Sequence, residues 1–170
     1  MVLEHLFVGE IMRHCWTNGL PGIEMLKSQV DNSGYDIVLE TNSVMRHIQL
    51  KASHVGAATP AVNVNSELSK KPSGCVIWMF FDPRTLRFSH FLWFGQSAGN
   101  PLAEISHFPT GTHNKRNAQG IKSERPNIKR LSRAAFVKVD TIEELIELLF
   151  LRETGEHATK RGSDVDDLEI

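Results

Sequence analysis

Two short apolar runs carry the residues best suited to chemistry: Asp36 in Gly34-Tyr35-Asp36-Ile37-Val38-Leu39-Glu40, and Gln49, Leu50 and Lys51 in Arg46-His47-Ile48-Gln49-Leu50-Lys51. Side chains alternate along a strand, so Asp36, Val38 and Glu40 share one face of the first run. His47, Gln49 and Lys51 share one face of the second, and isoleucine and leucine fill the opposite faces. If 41–45 closes a hairpin, Glu40 pairs near Arg46 or His47, and Asp36 lies opposite Leu50 or Lys51, give or take a residue. A carboxylate, an amide oxygen and a lysine brought together in this way suit metal-assisted hydrolysis.

The elements that must position these residues are legible along the chain. Leu3, Leu6, Phe7, Ile11 and Cys15 recur at helical spacing, which predicts an amphipathic helix over about 2–16 that ends at Asn18-Gly19 and Pro21 and has Glu10 within its apolar stripe. A strand-like run over 23–30, the turn signal at 31–34 and the two runs above make a three-strand meander. Residues 52–74 are small and polar, with a short helix near 65–70. The wholly apolar run 75–81 reads as a strand buried on both faces, turned by Asp82-Pro83-Arg84 and returning over 87–94. An irregular excursion spans 95–113, and 136–139 reads as a short strand. Thr141 and Glu144 form a capping box for a last helix whose apolar face is Ile142, Leu145, Leu148 and Leu149. The expected organisation is one domain over 1–151 and an acidic tail over 152–170. Trp16, Trp78 and Trp93 are most simply core residues, although an exposed one would be able to stack on a base.

The order of a helix bearing an acid, a strand, a strand with Asp and a strand with Gln-x-Lys resembles the PD-(D/E)xK superfamily of restriction-endonuclease-like nucleases. The motifs cover about residues 3–51. The resemblance implies an α/β fold with a restriction-endonuclease-like mixed β-sheet flanked by helices, Mg²⁺ or Mn²⁺ as cofactor, and phosphodiester hydrolysis in DNA. By position, Asp36 matches the metal-binding aspartate, Gln49 the second acidic position, Lys51 the lysine and Glu10 the helix carboxylate. Tyr35 stands where the motif has proline, and Gln49 where it has Asp or Glu. Asp36, the Gln49 amide oxygen and the Leu50 carbonyl would hold the metal, Lys51 would position the attacking water, and Glu10 would hold a metal water or the lysine. With glutamine neutral, such a site binds metal more weakly than an acidic pair.

A second signal lies in 113–133, where Lys115, Arg116, Lys122, Arg125, Lys129, Arg130 and Arg133 face the single acid Glu124. Phosphate-backbone contact suits such a stretch; a solvated loop balancing the acidic tail is the plainer reading. The whole chain of 170 residues, with 19 basic against 20 acidic residues and a formal net charge of -1, makes no global demand for nucleic acid. Cys15 and Cys75 have neither CxxC nor ligand spacing and read as buried free thiols of a reducing compartment. The longest apolar run falls far short of the roughly 18 residues of a membrane span, so no membrane partner and a soluble cytoplasmic protein are expected. No phosphate-cradling glycine loop, nucleophile elbow or HExxH helix is present. Together with that resemblance, the residues favour a DNA nuclease, which would need to dimerise to cut both strands in concert. A fold-retaining nucleic-acid binder or partner subunit of a defence or mobile-element system is the alternative. A third reading makes the acidic tail or the aromatic hairpin a protein docking surface.

Overall fold

Residues 74–81 contain no charged side chain and form a strand covered on both faces, and the other elements are arranged around it. The computed structural model describes residues 2–20, 22–27, 33–41, 44–112 and 124–150. In chain order these form α1 (Val2–Thr17), β1 (Glu24–Lys27), β2 (Ile37–Thr41), β3 (Val44–His54), β4 (Ala61–Asn65), a 3₁₀ helix (Ser66–Lys70), β5 (Gly74–Phe81), β6 (Phe88–Gly95), β7 (Thr110–Thr112), β8 (Glu124–Ser132), a 3₁₀ turn (Arg133–Ala135), β9 (Val137–Val139) and α2 (Ile142–Phe150). This is a mixed α/β architecture. One six-stranded sheet runs β1-β2-β3-β5-β6-β9, and a separate three-stranded sheet runs β4-β8-β7. Only β3 and β5 pair in parallel, Ile48 against Cys75 and Lys51 against Trp78; the other ladders are antiparallel.

Alternation along β5 and β6 divides the interior in two. Ile77, Met79, Phe91 and Trp93 point toward α1 and α2, where Phe7, Ile11, Leu145 and Leu149 meet them. Val76, Trp78 and Phe80 point the other way, into a second cluster with Val64, Leu68, Leu131 and Phe136. Of the expected mixed sheet flanked by helices, the mixed sheet is present; the two described α-helices lie on one face, and the small sheet with the 3₁₀ helix covers the other. The reason is the connection from β3 to β5, which must cross over a parallel pair. Its alternating Ala-Val-Asn-Val-Asn makes a half-buried strand, β4, where a polar stretch was expected.

The meander is present; β1 covers Glu24–Lys27 of the expected 23–30, and residues 28–30 lie outside the described ones. The 65–70 helix is a 3₁₀ helix capped by Asn65, whose Oδ1 accepts the Glu67 N–H at 3.0 Å. Thr141 Oγ1 accepts the Glu144 N–H at 3.2 Å, while Glu144 reaches back to the Asp140 N–H at 3.0 Å, so the capping box closes one residue early. On α2, Ile146 is buried and Leu148 is exposed, because the sheet meets a face rotated from the predicted one. Both cysteines are buried and free. Burial pushes the Cys75 thiol up to about 12, against the opposing pull of the nearby Arg46 guanidinium. Residues 151–170, the predicted tail, lie outside the described residues.

Arg46, fully buried on the helix-facing side of β3, closes this layer. Its Nε donates to the Leu149 carbonyl at 2.6 Å and its Nη2 to the Leu148 carbonyl at 2.7 Å. The guanidinium carbon sits 5.4 Å from the Trp93 ring centre. The last carbonyls of a helix lack partners and carry partial negative charge, and α2 has no basic residue in its own last turn. Arg46 supplies that cation from a strand about a hundred residues away in sequence. Replacing it with methionine removes two charge-assisted bonds and should lower stability by about 2–4 kcal/mol. The measurement is the urea midpoint at unchanged slope. Arg46→Lys should recover only part of the loss, since an ammonium lacks the fork that meets both carbonyls.

Candidate active site

Asp36 enters β2 under several local constraints. Gly34 has φ +78, and a Cβ there would lie 2.7 Å from the Leu68 backbone nitrogen, so only glycine lets this segment rest on the 3₁₀ helix. The Tyr35 ring meets His47 edge to face at 4.9 Å, and the Lys71 ammonium lies 5.5 Å from its centre. The Asp36 N–H donates to the Ile48 carbonyl at 2.9 Å, although Ile37 is Ile48's ladder partner. Asp36 therefore stands as an extra, bulge-like residue at the strand entry. From there its Oδ2 accepts the Leu50 N–H at 2.6 Å. The hairpin register pairs Glu40 with Met45 and, if continued regularly, would set Asp36 against Gln49; the predicted offset was within a residue.

Gln49 and Lys51 project from the face of β3 that looks toward the small sheet, as the pairing of Gln49 with Val76 requires. Gln49 is buried, and its Oε1 accepts the Asn65 N–H at 3.1 Å. The amide that sequence reasoning assigned to a metal thus also ties β3 to the end of β4. Lys51 is half-buried on the same face. Glu10 is not brought to them. It is half-buried on α1, which packs on the face bearing Ile48 and Leu50, opposite the face from which Gln49 and Lys51 project. A helix stripe that buries Phe7 and Ile11 must carry its neighbour Glu10 to the same layer.

His47 is buried beside Gln49. Its Nδ1 lies 2.9 Å from the Pro72 carbonyl, the ordinary hydrogen bond expected of it. Burial lowers its pKa, the Lys71 cation lowers it further, and the Pro72 contact opposes both. Glu40 flanks the turn, half-buried.

The basic stretch is divided by the fold. Lys115, Arg116 and Lys122 lie outside the described residues. Arg125, Lys129 and Arg130 are on β8, the central strand of the small sheet, so 124–132 is not the loop of the plainer reading. Arg125 and Arg130 are exposed; Lys129 is half-buried with its Nζ 3.3 Å from Thr110 Oγ1. Arg133 donates to the Ala57 carbonyl at 2.7 Å and lies 4.9 Å from the Phe80 ring and 5.4 Å from Trp78. Its cation is thus packed on the aromatic rings of β5, while the residue itself remains exposed.

Among the described residues, no three His, Cys, Asp or Glu side chains converge on one point. The donors near Asp36 are instead one carboxylate, the Gln49 amide oxygen and the Leu50 carbonyl. The N–H and C=O of a strand residue point to the same edge, so Leu50 aims its carbonyl to the side on which it meets Asp36. A hollow of about 390 Å³ between α1, α2 and the β2–β3 hairpin, lined by Cys15, Ile23, Val44, Ile146 and Phe150, lies on the opposite face of the sheet and is apolar. It takes no part in this chemistry.

His47 makes the site's surroundings sensitive to acid. Its folded pKa lies below its ordinary value of 6.5, so between the two values the unfolded chain binds more protons than the folded one. The neutral ring's contribution is complete above that window and is lost as pH falls through it. His47→Gln should flatten the fall in thermal stability between about pH 7 and pH 5, as followed by circular dichroism. No protein-family model matches this chain, and no curated protein matches it either.

Proposed function

We propose that this chain is a metal-dependent phosphodiester hydrolase acting on DNA, with a restriction-endonuclease-like fold. The observation that carries the reading is the Asp36 carboxylate held against the Leu50 N–H, in the middle of the Gln-Leu-Lys segment. The helix, the antiparallel meander and the strand added in parallel beside β3 are compatible with that family's order of elements.

The oxygen donors suit a hard divalent ion. A carboxylate has about four acceptor sites and an amide oxygen two, so the Leu50 and Asn65 N–H groups do not exhaust them. Asp36, Gln49 and the Leu50 carbonyl would hold Mg²⁺ or Mn²⁺, which binds through one or two carboxylates with waters and substrate phosphates. When bound, such an ion lowers the pKa of water and neutralises phosphoryl oxygens. Lys51 would orient the attacking water and offset the charge gathering on the phosphate. Arg125 and Arg130, together with Lys115, Arg116, Lys122 and Lys129, would supply backbone contacts.

One observation favours a second reading. Gln49 is neutral and shares its oxygen with the Asn65 N–H, which leaves a single carboxylate in the donor set. In that reading the chain is a weak or inactive nuclease-fold protein that binds nucleic acid, or a partner subunit in a defence or mobile-element system. Metal dependence separates the two.

Supercoiled and single-stranded DNA should be cut with Mn²⁺ or Mg²⁺ and left intact with EDTA. Asp36→Asn and Lys51→Ala should each lower the rate on the order of 100-fold or more at unchanged melting temperature. Cleavage indifferent to both substitutions, or none at all, would move the assignment to the binding reading. Gln49→Glu should tighten metal binding, read by calorimetry, because it adds a second carboxylate. Arg130→Ala should weaken DNA binding across sequences and reduce the salt slope by about one, whereas Arg133→Ala should lower stability and leave that slope in place.

A further inference from the structure

The segment that carries Lys71 is fastened at three points. The Lys71 N–H closes the 3₁₀ helix on the Leu68 carbonyl at 3.1 Å. The next two residues are tied to β3: the Pro72 carbonyl lies 2.9 Å from His47 Nδ1, and the Ser73 carbonyl accepts the His47 N–H at 3.3 Å. Ser73 is buried with φ +59, and its Oγ accepts the Gly99 N–H at 3.0 Å. The Lys71 side chain starts from this fixed backbone and is half-buried. Its ammonium lies 5.5 Å from the centre of the Tyr35 ring, which is steadied in turn by its edge-to-face contact with His47.

The charge placed here has no acid to match it. The neighbouring Lys70 is exposed and pairs with Glu67 at 2.7 Å, whereas among the described residues no carboxylate lies within ion-pair reach of Lys71. Its cation is felt instead by His47, whose pKa is lowered first by burial and further by Lys71. A ring face engages one side of an ammonium, and lysine has three N–H donors, so the Tyr35 contact leaves capacity for another acceptor. Tyr35 immediately precedes Asp36, whose carboxylate meets β3 at Leu50. Along β3 the order is therefore Lys71 at the His47 end, then Asp36 at Leu50, then Lys51. At the rise of a strand, His47 and Lys51 are on the order of 13 Å apart. A row of cation, carboxylate and cation suits a chain with a phosphate on every unit: one phosphate can lie at Asp36 and Lys51 while another meets Lys71.

We infer that Lys71, carried on the Tyr35 ring, binds a phosphate of the same nucleic-acid strand whose scissile group docks at Asp36. This role rests on the reading of Asp36 given under the proposed function. Lysine serves such a contact as a point charge, so it contributes affinity and register without choosing a base.

The test is binding of labelled single-stranded and duplex DNA by the full chain, followed by fluorescence anisotropy over a salt series with Ca²⁺, an ion that takes oxygen ligands. Steady-state cleavage with Mn²⁺ is measured beside it. Lys71→Met keeps an unbranched apolar side chain over Tyr35 and removes the charge. It should raise the Kd about tenfold at low salt and reduce the salt slope by about one. The loss in cleavage should fall on KM and not on kcat, as it does when an interaction shared by ground and transition states is removed. Lys71→Arg should restore the slope. A role confined to packing on Tyr35 would lower the melting temperature and leave the slope in place. A wild type that binds and cuts DNA while Lys71→Met keeps its slope would overturn the assignment of Lys71 and leave the nuclease reading standing. A lowered slope without metal-dependent cleavage would keep the phosphate contact and move the chain to the binding reading. A wild type that binds neither form of DNA would overturn both.

Discussion

A buried guanidinium has to find acceptors, and the way Arg46 does so holds this fold together. Its charge cannot be removed and would be costly to bury alone. The carbonyls of Leu148 and Leu149 near the end of α2 accept from it, so the cation meets the partial negative charge of the helix end. The contact joins the last helix to the third strand. It also stacks the cation over Trp93 from a strand two places away in the sheet. Burial draws the Arg46 pKa down, but an arginine stays charged. The pairing therefore persists across the pH range in which His47 titrates.

Strand β3 serves two purposes because a strand has two faces. Arg46, Ile48 and Leu50 point to the helices and hold the layer together. His47, Gln49 and Lys51 point to the small sheet, where an amide, an imidazole and an ammonium meet backbone carbonyls, N–H groups and the Trp78 side of the core. The Ser53 hydroxyl, further along this face, accepts the Trp78 indole N–H at 2.9 Å. A polar face this close to a core is acceptable only with partners. The contacts that satisfy it, Gln49 to Asn65 and His47 to Pro72, also fix where the crossover lies. The proposed metal ligation and the crossover packing would draw on the same Gln49 oxygen, and this is why Gln49 supports two readings of the site.

Much of the fold could be read from local pattern. The period of α1, the hairpin spacing of Asp36 to Lys51, the apolar β5 with its return strand, and the Thr141 cap follow from constraints acting over a few residues. The register of β2 against β3 came within one step, with Glu40 pairing Met45 instead of Arg46; the bulge-like entry of Asp36 was not legible, since it depends on Gly34 resting on a 3₁₀ helix thirty-odd positions away. Strand β4 and the sheet role of β8 were not legible. The alternation in β4 spans only five residues within a stretch rich in small and polar ones, β8 is mostly polar, and the two become strands by pairing with each other over the face of a larger sheet.

The sequence by itself determined which residues are capable of chemistry and which runs are helix or strand, since residue type and spacing set side-chain direction within an element. Only the tertiary structure decided which of them meet. It brought Asp36 to Leu50, laid α1 on the face opposite Gln49 and Lys51, set Arg133 over the Phe80 ring, buried Arg46 and left Trp16 in solvent. The physical reason is that the face an element buries depends on what covers it. The cover for each of these residues comes from segments far away in the chain, whose distances no local pattern encodes.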